Sequence, residues 1–274
     1  MAPLLTRAVA EQIAIAARTG ESALECSLDL DRSRSRIAVS ASGWQHAGAH
    51  YPLPGELKER TIYYWDGAAF APAARYSGSL LKLVPTDWGP PTFEIDGIKM
   101  LPTARVSPLD DARRKVDLIE PRGKRVLDTC GGLGYFASCC LARGAADVQS
   151  FEKNADVLWL RTLNPWSPGA DARLTLLHAD ISLAIASLPA GAFDALLHDP
   201  PRFGIAGELY SQQFYDQLAR VLKARGRLFH YTGTPNRLTS GRDVPGEVLR
   251  RLQRAGFAAR REGDGVFAVR QRAG

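Results

Sequence analysis

The chain has no apolar run approaching the ~20 residues that a bilayer-spanning helix requires. Arg7, Glu11 and Arg18 interrupt its opening stretch, so no signal-peptide core is expected there. Together these absences point to a cytoplasmic protein. Cysteine is scarce: Cys26, Cys130, Cys139 and Cys140 are the only four. Their spacing fits no zinc signature, and nothing in it suggests secretion, so no metal site is expected. Cys139 and Cys140 stand side by side on an expected helix and read as small buried apolar residues. Internal repeats and low-complexity tracts are also missing.

What the chain does have is enough apolar content to fold. Of its 274 residues, 45% are hydrophobic, which supports a packed core and argues against disorder. The length fits one large domain or two modest ones. The net charge is +6, and the excess sits late: from Val221 to Gly274 there are twelve Lys/Arg against four Asp/Glu. Arg250, Arg251 and Arg254 share a helical turn, and Arg260 and Arg261 follow. This basic region reads either as a solvated face or as a footprint for an acidic partner.

The texture changes near residue 105. Before it, a short amphipathic helix is expected over residues 3–17, followed by a β-rich stretch. Ile37 to Ser40, Thr61 to Trp65 and Leu80 to Val84 are β-rich. Thr92 to Ile95 and Ile98 to Leu101 flank Asp96-Gly97, a two-residue hairpin signal. Residues 1–104 are therefore expected to form a small N-terminal β-rich domain, and residues 105–274 a second domain.

In the second part, Ser107, Pro108 and Asp110 suit an N-cap, a first helical position and a capping-box acid, opening a helix to about Ile119. Strands and helices then alternate. Strands are expected at Arg125 to Thr129, Val148 to Glu152, Leu174 to His178, Phe193 to Asp199 and Arg227 to Tyr231. The helices between them fall at Leu133 to Arg143, Ala155 to Leu163, Ile181 to Leu188 and Gly207 to Lys223, with a further one at Val244 to Ala255. A hairpin around Gly263-Asp264-Gly265 closes the chain. This alternation implies an α/β fold, a Rossmann-like, doubly wound, mostly parallel seven-stranded sheet.

Ligands of such sheets bind beyond the carboxyl ends of the strands, near the switch in strand order. Four strand ends here carry distinctive residues. After the first comes Asp128-Thr129-Cys130-Gly131-Gly132-Leu133-Gly134, whose glycines let the backbone approach a ligand. Asp128 is ill suited to a pyrophosphate and better suited to a cationic ammonium or sulfonium. Glu152 ends the second strand, where an acid can accept from two ribose hydroxyls, with Lys153 beside it. After the third strand, Asp180 reads as a helix N-cap or as an acceptor for an adenine amino group, with Ile181 against the ring. After the fourth comes His198-Asp199-Pro200-Pro201-Arg202-Phe203, where the prolines hold Asp199 in a rigid turn.

These elements, with Asn164-Pro165-Trp166-Ser167, Gly207-Glu208-Leu209-Tyr210 and Phe229-His230-Tyr231-Thr232-Gly233, resemble class I S-adenosylmethionine (SAM)-dependent methyltransferases. In more detail they are similar to a group of predicted archaeal and bacterial methyltransferases. The resemblance implies SAM as cofactor, held by Asp128, Cys130, Gly131, Gly132, Gly134, Glu152, Lys153, Asp180, Ile181 and Asp199. Methyl transfer needs a held acceptor, and Asp199 and the Pro200 carbonyl are expected to accept from an amine nitrogen on RNA or on a small molecule. Pro201, Arg202, Phe203, Tyr210 and Tyr231 are candidate substrate contacts; the two tyrosines read equally as packing, and Arg202 as a structural ion pair. Two departures stand out: Cys130 occupies the position where the common glycine pattern begins, and Arg202 the place of an aromatic residue after Asp-Pro-Pro. His198, one step back along its strand, reads as a satisfied core histidine.

An aminopropyltransferase of the spermidine/spermine synthase type is the main alternative. Its polyamine substrates favour an acidic cleft, whereas this chain is basic. A non-catalytic SAM- or nucleic-acid-binding protein leaves the intact Asp-Pro-Pro turn without a purpose. A nicotinamide dehydrogenase leaves Asp128 unexplained.

Overall fold

A computed structural model describes residues 2–233 and 243–272. The chain divides into two units, Met1–Pro108 with Trp159–Ser167, and Leu109–Leu158 with Pro168–Gly274.

In the first unit, helix α1 spans Arg7–Thr19 and not residues 3–17. Thr6 is its extended N-cap, accepting from the Val9 N–H, and Gly20 closes it in the left-handed conformation. The extended cap leaves Leu4–Leu5 free to form strand β1 instead of a helical turn. One face of α1 buries Ala10, Ile13 and Ala16. Strands β2 (Ala23–Cys26), β3 (Ser35–Ser40), β4 (Gly43–His46) and β5 (Ala49–Tyr51) form an antiparallel meander. β1 pairs with β6 (Tyr63–Trp65), which pairs with β7 (Phe70–Pro72). β8 (Ala74–Tyr76), β9 (Leu80–Val84), β10 (Thr92–Ile95) and β11 (Ile98–Lys99) form a further sheet. The Asp96-Gly97 hairpin is present, with φ of 49° and 80° at its two central residues, the twist that suits a two-residue turn. Trp44 is fully buried, stacked on Tyr51 at 4.5 Å.

Trp159–Ser167, which sequence texture assigns to the C-terminal part, clusters with this first unit. The Trp159 ring meets Tyr64 edge-on at 5.7 Å and carries the Arg75 guanidinium 3.9 Å from its centroid. The Trp166 indole donates to the Leu30 carbonyl at 2.9 Å, and Arg32 donates to the Pro165 carbonyl.

In the second unit, α2 (Pro108–Ile119) leads into β12 (Arg125–Asp128), α3 (Tyr135–Ala142), β13 (Asp147–Glu152), α4 (Ala155–Leu163), whose residues from Trp159 on are counted with the first unit, and β14 (Leu174–His178). Then come α5 (Ile181–Ala184), β15 (Phe193–His198), α6 (Gln212–Val221), β16 (Leu222–Tyr231), α7 (Val244–Arg254), β17 (Phe257–Glu262) and β18 (Gly265–Arg270). The seven strands lie in the order β14-β13-β12-β15-β16-β18-β17. The first five are parallel, and β18 runs antiparallel to both its neighbours. This is the mostly parallel Rossmann-like sheet that the alternation implies. Its central strands are apolar on both faces: Val126, Leu127, Ala195, Leu196 and Leu197 are all buried, as covering helices on both sides demand.

The single helix expected over Gly207 to Lys223 is two elements. A 3-10 turn, Gly207–Tyr210, is followed by α6, whose N-cap Ser211 accepts from the Phe214 N–H at 3.1 Å. Likewise α5 is one short turn that continues as a 3-10 segment, Ile185–Ser187. Cys139 and Cys140 are both buried in α3 as free thiols. Among the described residues, no helix is long and apolar enough to cross a membrane.

Candidate active site

Strand order reverses between β12 and β15, so the ends of these two strands flank the switch point. Asp128 ends β12 and Asp199 directly follows β15. Glu152 ends β13, and Asp180 stands two residues past β14. Four carboxylates therefore lie along the carboxyl edge of four adjacent parallel strands, where open α/β sheets bind ligands.

The glycine turn is fastened to its neighbours. The Gly131 N–H donates to the Phe151 carbonyl at 2.7 Å, and the Gly132 N–H donates to Glu152 Oε2 at 2.9 Å. Gly132 and Gly134 take φ of 50° and 84°, a region costly for side-chain-bearing residues. The other Glu152 oxygen accepts from the Asn154 N–H at 2.9 Å. Each carboxylate oxygen has two lone-pair directions, so Glu152 can accept from more donors than these two. Cys130 is half-buried, and burial first, then the charge of Glu152, raises its thiol well above the usual range. It is a neutral thiol at physiological pH.

Asp128 is wholly buried, and its Oδ2 accepts from the Ser150 hydroxyl at 2.8 Å. Asp180 caps α5, accepting at one oxygen from both the N–H and the hydroxyl of Ser182. Its other oxygen lies 3.7 Å from Lys153 Nζ, which also lies 3.8 Å from Glu208. Ile181 is buried.

Asp199 is held from a direction that sequence reasoning missed. Lys115 on α2 donates to Asp199 Oδ2 at 2.9 Å and pairs with Asp111 Oδ2 at 2.8 Å. The Lys115 ammonium lies 4.1 Å from the centroid of the Tyr231 ring, a cation–π contact. Asp111 also pairs with Arg114 at 3.1 Å, and Arg114 with Asp264 at 2.5 Å. Burial works against the Lys115 charge, but Asp199 and Asp111 outweigh it and hold the ammonium above the usual lysine range. Burial pushes the Asp199 carboxyl up from its ordinary value, and Lys115 limits that rise. A signal existed in the sequence: Asp111 and Lys115 fall on the same helical face as Ala112, Val116 and Ile119, a charged pair where apolar residues belong.

The remaining candidates separate. Pro200 is buried, and the Pro201 carbonyl accepts from the Tyr210 hydroxyl at 3.1 Å. Tyr210 is buried and meets Phe203 edge-on at 5.4 Å, so it braces the Asp-Pro-Pro loop. Arg202 is exposed and makes no ion pair among the described residues. His198 is wholly buried, with one ring nitrogen 2.8 Å from the Thr129 hydroxyl and the other 2.9 Å from the Leu209 carbonyl; it is a satisfied core histidine. Part of the late basic excess is engaged internally. Arg251 donates to the Tyr210 carbonyl, Arg261 pairs with Asp243, and Arg260 with Glu262.

No family model matches this sequence. The uncharacterized protein MJ1233 of Methanocaldococcus jannaschii is 42% identical over 220 residues, covering 78% of this chain and 75% of that protein. The chain belongs to the family of MJ1233. This MJ1233-family chain is also 38% identical over 76 residues to polyamine aminopropyltransferase 2 of Streptomyces coelicolor, a match to 27% of the chain and 14% of that protein. In structure it is similar to spermidine synthase from Thermotoga maritima, with a TM-score of 0.57 and 18% identity over 72% of this chain and 71% of that one. At that identity the likeness is one of fold.

Proposed function

We propose that this chain is a SAM-dependent methyltransferase acting on an amine nitrogen of RNA or of a small molecule. The observation that carries the reading is the row of acids Asp180, Glu152, Asp128 and Asp199 along one sheet edge, beside a glycine turn whose Gly132 N–H binds Glu152. The donor chemistry fits SAM. Glu152, which accepts at both oxygens, suits a ribose diol; Asp180 and Ile181 suit an adenine ring; and Asp128 ends β12 where the glycine turn begins. SAM supplies an electrophilic methyl group.

The chain's own residues do the rest. Asp199 and the Pro200 carbonyl accept from the acceptor's N–H groups and hold its lone pair toward the donor, a matter of alignment more than of covalent chemistry. As the new N–C bond forms, the electrons of the C–S bond stay on sulfur, and the acceptor nitrogen becomes positive. Asp199 takes up the proton it then sheds. Burial favours this, because it raises the carboxyl's proton affinity.

The match to an aminopropyltransferase and the spermidine synthase fold keep a second reading in play, transfer from decarboxylated SAM to a polyamine. Against it stands Lys115, a buried ammonium already bound to Asp199, in the place where a polycation needs uncompensated negative charge. Calorimetry with SAM, its demethylated product and decarboxylated SAM decides between them. Selective binding of SAM, followed by methyl transfer from labelled SAM to fractionated RNA or metabolites, is the expected result. Selective binding of the decarboxylated donor overturns the methyltransferase assignment.

A further inference from the structure

We infer that Lys115 is a positioning residue for the transfer, a clamp delivered by α2 that takes one oxygen of Asp199 and leaves the other facing the acceptor. This rests on the reading of Asp199 as the carboxylate on the acceptor side. Three observations carry it. Lys115 is buried on a helix outside the strand-end motifs, and a buried ammonium is retained only where partners repay its lost hydration. Its partners are two carboxylates on different elements, Asp111 one turn earlier on α2 and Asp199 after β15, at 2.8 and 2.9 Å. Both contacts use an Oδ2 atom, and the Asp199 side chain remains 24% exposed, so Asp199 is gripped at one edge and open at the other.

The geometry also fixes direction. Tyr231, at the end of β16, puts its ring face against the same ammonium, which fixes Lys115 from a third side. A carboxylate free to rotate about its last torsion presents either oxygen to a substrate. One held at Oδ2 by a buried, ring-stacked ammonium presents a single oxygen in a single orientation. Pro200 and Pro201 restrict the backbone of the turn, and Lys115 restricts the side chain.

The charged and titratable groups around Asp199 are Lys115 and Asp111 from α2, Asp264 from the β17–β18 turn, Tyr231 from β16, Tyr210 from the 3-10 turn and Cys130 from the glycine turn. Among these Lys115 is the cation in direct contact with the carboxylate. Its removal therefore raises the pH at which Asp199 titrates, and removal of Asp111 lowers it.

The test needs no acceptor. In the full-length protein labelled with 13C-aspartate, the Asp199 carboxyl signal is assigned by its loss in Asp199→Asn and followed against pH. Lys115→Met is expected to raise its midpoint by about one pH unit or more, and Lys115→Arg to restore it. Asp111→Asn is expected to lower it, and decides the matter should Lys115→Met fail to fold. Saturating SAM is expected to lower the midpoint further than S-adenosylhomocysteine does, because only SAM carries the sulfonium charge; an ion pair remote from the transfer shows no such difference. An unmoved midpoint in the folded Lys115 and Asp111 variants overturns the clamp, as does an identical response to the two ligands when both bind. Expected shifts in a protein that binds no SAM sink the methyltransferase reading and leave the grip of Lys115 on Asp199 standing.

Discussion

His198 and His230 meet edge to face, with ring centroids 4.4 Å apart and both side chains wholly buried. Each is hydrogen-bonded at both nitrogens. His198 reaches the Thr129 hydroxyl and the Leu209 carbonyl, and His230 reaches the Tyr215 hydroxyl at 3.0 Å and the Tyr231 carbonyl at 2.8 Å. Burial favours the neutral form of both rings. A carbonyl can only accept, so in each neutral ring the nitrogen beside it carries the proton, and the two rings are opposite tautomers. The Thr129 hydroxyl also donates to the Leu197 carbonyl at 3.1 Å. Through Thr129 and Leu209, His198 ties the glycine turn to the segment after the Asp-Pro-Pro loop.

Acid should loosen this arrangement. Burial pushes His198 down to about 4 from an ordinary 6.5, and burial, then the neighbouring His198, pushes His230 down as well. Between pH 6.5 and 4 the unfolded chain binds a proton at His198 that the folded protein refuses, so stability is retained above 6.5 and falls with pH through that window. The loss from His198 alone is about 3 kcal/mol by pH 4. Urea unfolding at a series of pH values should show this slope, and His198→Gln should flatten it while lowering stability at pH 7.

Asp199→Ala should separate binding from turnover. SAM affinity is expected to stay within a few-fold of wild type, because the cofactor's other contacts remain. Methyl transfer is expected to fall by roughly 100-fold or more, the usual worth of a positioned general base. Calorimetry and a labelled-methyl assay on the same preparation measure both; wild-type turnover removes Asp199 from the chemistry.

Glu152→Ala should do the reverse. It deletes the acceptor of the Gly132 N–H and the expected acceptor for a ribose diol. Affinity for SAM is expected to drop by roughly 10- to 100-fold, about 1.4–2.8 kcal/mol. Unchanged affinity by calorimetry places the ligand elsewhere.

Tyr210→Phe removes the one hydrogen bond from Tyr210 to the Pro201 carbonyl and leaves the ring packing in place. The expected cost in stability is about 1 kcal/mol. The more telling readout is kcat, which should fall while SAM affinity holds, because the loop carrying Asp199 loses its brace. If Tyr210 touches substrate instead, KM rises with kcat unchanged.

Most of the sheet was legible because strands β12 to β15 are short runs with apolar centres separated by helical periodicity; β16 was not, since it begins at Leu222, five residues before the expected Arg227 and inside the stretch expected to be helical. Leu174–His178 matches its expected bounds, and Phe193–His198 differs by one residue. Strand-end acids were legible for the same reason, since their place follows once the strands are placed. Other features were hidden. The break between Tyr210 and α6 follows from Ser211 capping the helix, and a serine inside a helical pattern does not announce that choice. The first unit's β2, β4, β5, β7 and β8 are short and only partly buried, so alternation is weak. Lys115 was hidden because its partner in the site, Asp199, lies far along the chain. The helix alone shows a misplaced charged pair, and only the tertiary structure shows what that pair grips.

The excursion of Trp159–Ser167 into the first unit bears on how such a gene can change. Two units joined by a single linker can be cut apart, swapped between relatives or inherited separately. Here a piece starting at Leu109 would keep Trp159 and Trp166 but lose Tyr64, Arg75 and Leu30, the groups they rest on. It would expose two indoles to water and invite aggregation. Recombination at residue 108 is therefore penalised unless the 159–167 stretch travels with the N-terminal sequence, so the two halves are expected to descend together.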